Sequence, residues 1–372
     1  MIYLPAMAVA SSLGIGKRAT TDALFAGRRV PIARIEGLPP VAKEFDSRNN
    51  RLLAALFGEI GEEIEAARQR YGAHRIAIIL GTSTSGIAEG ESALAHRLEE
   101  GVWPETYRYR LQELGNLTAF ASKTLGITGP AYVVATACSS SAKAFASARR
   151  LIRQGLADAA LVGGADTLCG LTLAGFGALE ALSPTPCNPF SLHRGGITIG
   201  EGGAVFLMTP EPAEIALRGI GETSDAHHLS APDPEGAGAL AAMQEALADA
   251  ALPPEAIGYV NLHGTATPLN DSMESKAVQA LFGSALACSS TKAMTGHTLG
   301  AAGAIEAALC WLTLSARWNP QRRLPPHLWD GEADPALPPL AFASVTDRLA
   351  RPAVLSNSFA FGGSNCSLVL SA

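Results

Sequence analysis

The stretch from Gly300 to Leu314, GAAGAIEAALCWLTL, carries one ionisable side chain, Glu306, and no polar face. A helix that is apolar all round must be covered on every side. It also falls short of the ~18–20 residues a membrane span needs, so the cover has to be protein. A second Ala-rich helix, AKAFASARRLIRQG after Cys138, has the same character, and each follows a short strand in its own half of the chain. The runs Arg75–Leu80, Tyr132–Ala135, Ala159–Val162 and Ala204–Leu207 read as buried strands. Helical patterns cover Leu52–Gln69, Ser139–Arg153, Ala237–Ala250 and Met273–Leu281. Such alternation predicts layered α/β structure, and the paired pattern hints at a duplicated unit with its boundary near Pro210–Leu217. The 372 residues, 48% hydrophobic and 17% charged, leave room for two halves and exclude disorder as the main state.

A net charge of −6 creates no global field for nucleic acid or an anionic membrane. The six cysteines lack the spacing of a disulfide framework or a zinc site. Five of them, Cys169, Cys187, Cys288, Cys310 and Cys366, read as small buried hydrophobes. The apolar start of the chain imitates a signal peptide around Ala8-Val9-Ala10, but no basic residue precedes it and Pro5 interrupts it. A first strand and turn explains it better, and the expectation is a soluble, cytoplasmic protein with reduced thiols.

Cys138 stands apart from the other five. It lies between the strand AYVV and the helix whose Phe145, Ala148 and Ile152 repeat at helical spacing and whose stop is Gly155. Unpaired N–H groups at a helix start favour an anion. A contribution of ~1–2 kcal/mol lowers a thiol pKa of ~8.5 by roughly 0.7–1.5, so about a third to three-quarters is thiolate at pH 7.5. That predicts a nucleophile with no dedicated base; a structural cysteine at a turn is the other reading of the same position.

Three Gly-containing loops accompany the thiol. Asn261-Leu262-His263-Gly264-Thr265 and Thr291-Lys292-Ala293-Met294-Thr295-Gly296-His297 both read as strand ends, where ligand groups collect in α/β folds. The third is Asn357 to Asn365, NSFAFGGSN. A lone loop histidine is usually a surface residue, but these loops and a thiol at a helix start together make an acyl-transfer site.

Six segments in order, TACSSS, GEGGAVFLM, SDAHHLSAPDPEGAG, HGTATPLND, STKAMTGHTLGAAG and NSFAFGGSNCSLVL, resemble the elongating β-ketoacyl-acyl-carrier-protein synthases of the thiolase-like superfamily. The resemblance implies a five-layer αβαβα sandwich of duplicated halves, 1–212 carrying the nucleophile and 213–372 the histidines, the lysine and the glycine loop. It implies that Cys138 takes an acyl chain from a carrier protein. The backbone N–H groups of Cys138 and Phe361 would form the oxyanion hole, and His263 and His297 would stabilise the enolate left when malonyl-carrier protein loses CO₂. Lys292 would orient the second histidine, with Glu274 as a buried acid beside that lysine. No metal or organic cofactor is implied, because decarboxylation supplies the driving force. A second histidine, rather than the Cys or Asn of thiolases and CoA-using initiating synthases, favours decarboxylative elongation. A noncatalytic chain-length-factor-like partner and a thiolase-like enzyme using CoA esters are the alternatives.

The chain departs from the family pattern at Gly195 and Ile197, where Asp and Phe are usual, and at Asn270 and Ala360, where glycine is usual. With Ile197, Phe359 and Phe361 as pocket and gate, these changes predict selectivity unlike that of housekeeping synthases, for example for a polyene or aryl-primed chain. Without a fused acyltransferase or carrier segment, the chain is expected to meet both substrates on separate acidic carrier proteins. Arg48 and Arg51 resemble the family's docking pair, and Arg149, Arg150 and Arg153 are an independent candidate. A dimer is implied, either of two copies or with a catalytically silent homologue, with no nucleic-acid or membrane partner.

Overall fold

The computed structural model describes residues 1–29, 32 and 34–372. Its strands are β1 (Ile2–Ser11), β2 (Gly14–Ile15), β3 (Ile76–Gly81), β4 (Ala131–Val134), β5 (Ala159–Asp166), β6 (Gly202–Thr209), β7 (Ala216–Ser224), β8 (Tyr259–Asn261), β9 (Ala287–Ser289), β10 (Ala341–Phe342), β11 (Ala353–Ala360) and β12 (Ser364–Ser371). The first half orders its strands β4-β3-β5-β6-β1 and the second β9-β8-β11-β12-β7, with β2 and β10 as additions. The two orders are the same once those additions are set aside. So is the sense of pairing: two parallel contacts, then two antiparallel ones. The halves meet edge to edge through Ile2↔Leu217 and Tyr3↔Ala216.

Between the half-sheets lie the helices Ser140–Arg153 and Ala302–Leu314, and one core cluster joins them to Met7, Phe206, Tyr259 and Val354. Every residue of Ala302–Leu314 is buried, as an all-apolar helix demands. The helix Ser140–Arg153 is not covered all round: Arg150 and Arg153 form an exposed edge. Gly303 lets the central pair touch, since a Cβ there would come 2.7 Å from that of Ala142. Outer helices cover the far faces, Arg48–Glu59 and Asn116–Leu125 on one side and Ala237–Ala250 and Pro268–Phe282 on the other. The result is the five-layer thiolase-like sandwich.

Two expectations need correction here. The single helix expected over Leu52–Gln69 is two, Arg48–Glu59 and Gly61–Tyr71, because buried Ile60 leaves helical geometry at φ −132°. Gly58 and Gly61 flank the break and weaken the helix there. Arg48, expected as a free docking charge, is half-buried and already paired. Its guanidinium is bound by the fully buried Glu201 carboxylate, with Nε at 3.0 Å and Nη2 at 2.5 Å, and Nη2 also donates to Ile35 O at 2.7 Å. Glu201 in turn accepts the Ile35 N–H at 2.5 Å, so the pair clamps residues near 35 to the start of β6.

No helix among the described residues is long and apolar enough to cross a membrane. Removing one member of a buried ion pair leaves an uncompensated charge, worth about 3–5 kcal/mol. The substitution Arg48→Glu, which sets two carboxylates face to face, is therefore expected to destabilise the fold by at least that amount in urea unfolding.

Candidate active site

The parallel strands aim the chemistry. Cys138 follows β4, His263 follows β8, Lys292 and His297 follow β9, and Phe361 follows β11, so all five emerge from the same ends of the parallel strands. This is where open α/β sheets place their ligands. Just before the nucleophile Ala137 has φ +52°, an unfavourable value for a residue with a Cβ. The turn is held by Ser139 N–H donating to Thr136 O and Ser140 N–H to Ala137 O. Cys138 thus stands two residues before the helix Ser140–Arg153, its Sγ facing the other half.

There it meets both histidines. His297 Nε2 lies 3.0 Å from Cys138 Sγ, and the sulfur and one nitrogen of each ring lie within 4.8 Å of one another. The two rings stand nearly perpendicular, 5.5 Å apart. The backbone N–H of Phe361 donates toward Cys138 Sγ. Behind His263, the Lys292 ammonium donates to His263 O at 2.5 Å, approaches His263 Nδ1 at 3.4 Å, and pairs with the Glu306 carboxylate. An ammonium has no acceptor, so His263 Nδ1 must accept and the ring proton sits on Nε2. His297 Nδ1 has no hydrogen-bond partner among the described residues. A proton on Nε2 leaves only a lone pair unmatched there, rather than a buried N–H, which is the rarer and costlier orphan. Both rings therefore present an Nε2–H donor to the space around the sulfur.

The thiolate expectation fails. Burial pushes the Cys138 thiol up to about 12, against the charge of Lys292 and the Phe361 N–H, with Glu306 and Asp166 adding to the rise. Burial penalises the charged form of the sulfur, and that penalty is the largest influence on it. Burial, then Lys292, holds His263 and His297 well below the ordinary imidazole value, so both are neutral.

Glu274 is not beside the lysine. Its two oxygens accept the N–H groups of His263 and Gly264, each at 2.7 Å, and Oε1 also accepts from Asn357 Nδ2 at 3.2 Å. It moors the His263 loop. The acid on Lys292 is Glu306, which burial raises to about 7 against the pull of Lys292. The sequence held a signal for it: a lone carboxylate in an otherwise apolar helix, fourteen positions after the lysine.

A cavity of about 360 Å³ opens from Cys138, His263 and His297 and runs between Phe176, Ile197 and Phe361. Ile197 is buried against Leu182, Phe176 and Leu299, and Gly196 before it has φ +123°. The Phe361 ring lies 5.8 Å from that of Phe176, and Phe359 stands edge-on to His263 at 6.2 Å. Phe176 went unnoticed in the sequence because nothing local distinguishes it from core. Asn270 lines the cavity and is held there by the helix start: its N–H is received by the capping Thr267 Oγ1, and its side chain donates to Asp271.

The remaining docking candidates are already paired. Arg51 grips Asp46 through two hydrogen bonds. Arg149 is buried on Asp249, which excludes it from a docking surface. Arg150 pairs with Glu222, while Arg153 is exposed and only 3.8 Å from Asp249.

Comparison with known proteins agrees with this geometry. Residues 7–213 match the model of the β-ketoacyl synthase N-terminal domain, and residues 215–323 that of the C-terminal domain. A 3-oxoacyl-[acyl-carrier-protein] synthase 2 of Staphylococcus aureus is 34% identical over 317 residues, covering 80% of this chain and 77% of its own. The ketosynthase (ApeO) of Xenorhabdus doucetiae, solved in complex with its chain length factor (ApeC), superposes with a TM-score of 0.95 at 45% identity, over 100% of this chain and 98% of that structure. A β-ketoacyl synthase from Burkholderia phymatum superposes with a TM-score of 0.85 at 28% identity, over the same shares. With sulfur, paired imidazoles and lysine in one buried cluster, the chain belongs to the β-ketoacyl synthase family.

Proposed function

We propose that this protein is a carrier-protein-dependent ketosynthase that lengthens an acyl chain by decarboxylative condensation. The observation that carries this reading is the convergence of Cys138 Sγ with two neutral imidazoles, within 4.8 Å, in the lining of a largely apolar cavity. Cys138 Sγ attacks the acyl thioester, and its proton leaves with the departing pantetheine thiol. Lys292 and the Phe361 N–H favour the sulfur anion as it forms, which a thiol raised to about 12 requires. Malonyl thioester then replaces the first carrier. Its carboxyl C–C bond breaks, CO₂ departs without the electron pair, and the resulting enolate oxygen is held by His263 and His297 Nε2–H. The enolate carbon attacks the Cys138 thioester, whose oxyanion takes the N–H groups of Cys138 and Phe361. The C–S bond breaks, its electron pair returns to Cys138 Sγ, and the thiolate takes a proton from solvent water. Glu274 and Lys292 act by placing His263, Glu274 through its loop and Lys292 through its carbonyl and Nδ1.

The division of labour follows two halves, 1–212 with the nucleophile and 213–372 with the donors. Ile197, Phe176 and Phe361 set the shape of the acyl pocket, and the glycines at 195 and 196 in front of Ile197 support selectivity for an unsaturated or aryl-primed chain over a saturated one. Arg51, Arg150 and Arg153 remain candidates for receiving an acidic carrier protein. All six cysteines are free thiols, as suits the cytoplasm.

The partner is a ketosynthase-like subunit. The helix Gly170–Ala178, GLTLAGFGA, has no buried residue despite its apolar sequence. Leu171 and Leu173 on it, with Leu94, Leu98, Val102 and Trp103, are exposed large hydrophobics. A patch of this kind marks an interface, and Phe176 on the same helix lines the cavity. The ketosynthase from Xenorhabdus doucetiae was solved with such a partner, its chain length factor.

Four outcomes are expected. Loss of one preorganised donor costs about 10²–10³ in kcat, so His263→Ala should slow malonyl decarboxylation by that factor. Cys138→Ala should abolish acyl loading followed by intact-protein mass spectrometry; unchanged loading would remove Cys138 as nucleophile, and loading from acyl-CoA without carrier protein would favour the CoA-using alternative. Imidazoles held well below 6.5 stay neutral through that pH, whereas the Glu306 carboxyl is raised to about 7; nitrogen NMR of the two rings should therefore show no protonation centred at pH 6.5, and a ring that titrates there would contradict the neutral-donor scheme. Leu98→Glu with Leu171→Glu should shift the assembly toward monomer in sedimentation analysis.

A further inference from the structure

His327 is a buried imidazole outside the catalytic cluster whose two nitrogens tie together loops of that cluster. It enters from the segment after the helix Ala302–Leu314, with its backbone N–H on Ala343 O at 2.8 Å. Its ring stacks on Phe342 at 4.1 Å and 13°, and Trp329 and Phe190 stand at 5.6 and 6.0 Å. Nδ1 lies 3.1 Å from the Ser290 N–H, and Nε2 lies 3.0 Å from Pro189 O. A backbone N–H only donates and a carbonyl only accepts, so the ring is the neutral Nε2–H tautomer, accepting from Ser290 and donating to Pro189. Burial, with the charge of Arg29 nearby, keeps it neutral by lowering it to about 4.

Ser290 is the link to the chemistry. Its Oγ donates to Gly264 O at 2.7 Å and accepts from the Lys292 N–H at 3.3 Å. Gly264 follows His263 directly and has φ +38°; a Cβ there would lie 2.5 Å from Ser290 Cβ and 2.9 Å from the Phe190 ring. Pro189 and Phe190, on the other nitrogen's side, are moored by Phe190 N–H on Asp271 at 2.7 Å. The ring thus bridges the two segments that close on Gly264 from opposite sides, and none of its recorded hydrogen bonds reaches Cys138.

We infer that His327 is a positioning residue for the decarboxylation half-reaction, setting His263 and Lys292 through Ser290. The inference rests on the ketosynthase reading. Both half-reactions are measured on the full-length protein: acyl loading of Cys138 by mass spectrometry, and CO₂ release from malonyl-carrier protein. His327→Leu, which removes both hydrogen bonds, is expected to lower CO₂ release at least tenfold while loading stays within twofold. His327→Asn places an amide oxygen where Nδ1 sits, keeps the Ser290 acceptor and is expected to restore most of the rate. His327→Gln, which keeps a donor for Pro189 O and loses the acceptor for the Ser290 N–H, should reproduce the His327→Leu pattern, and it carries the test if His327→Leu does not fold. CO₂ release unchanged, or falling in step with loading, overturns the inference, as does Asn giving no rescue over a folded Leu variant. A wild-type protein that releases no CO₂ from malonyl-carrier protein overturns the ketosynthase reading itself, which is a separate result.

Discussion

The Lys292 ammonium is the point on which the site depends. A buried charge is expensive unless it is paired and hydrogen-bonded, and Lys292 meets that condition through Glu306, His263 O and His263 Nδ1 together. Its presence decides two things at once. It fixes which nitrogen of His263 carries the proton, and with burial it keeps both imidazoles neutral. Hydrogen-bond donors of fixed direction are what a developing enolate needs, and an imidazolium pair would not survive beside that ammonium.

The duplicated sheet explains why these groups can meet. Each half brings loops to the same ends of its parallel strands, and the halves join through the antiparallel contact of β1 and β7. The wholly buried helix Ala302–Leu314 packs against the nucleophile's helix between the two sheets and carries Glu306 to Lys292. The helix that forces the layered architecture therefore also carries the counter-ion of Lys292. Packing and chemistry are coupled at that residue, and the same is true at Glu274, whose carboxylate moors the His263 loop from the outer helix Pro268–Phe282.

Much of this was legible in the residues. The strands at Ile76, Ala159 and Gly202 and the helices after Cys138 and from Ala237 lie where periodicity placed them. The family and its chemistry were readable because six segments stand in order along the chain. Where the reading failed, long-range contacts were responsible. The Cys138 thiol was judged by its helix end, a local effect, and burial by the other half reversed the sign. Glu274 was set beside the lysine by the family resemblance, whereas the fold put Glu306 there. Arg48 looked like a free surface charge until Glu201, 153 positions away, paired with it.

Sequence alone determined the alternation of strands and helices, the need to bury Gly300–Leu314, and the chemical types available at each loop, because these depend on near neighbours and on side-chain chemistry. Only the tertiary structure decided which carboxylate neutralises Lys292, which arginines are free, which tautomer each histidine adopts and how strongly the sulfur resists ionisation. Those are matters of electrostatics and desolvation between groups far apart in the chain, and their sign is set by what the fold places within a few ångströms of each atom.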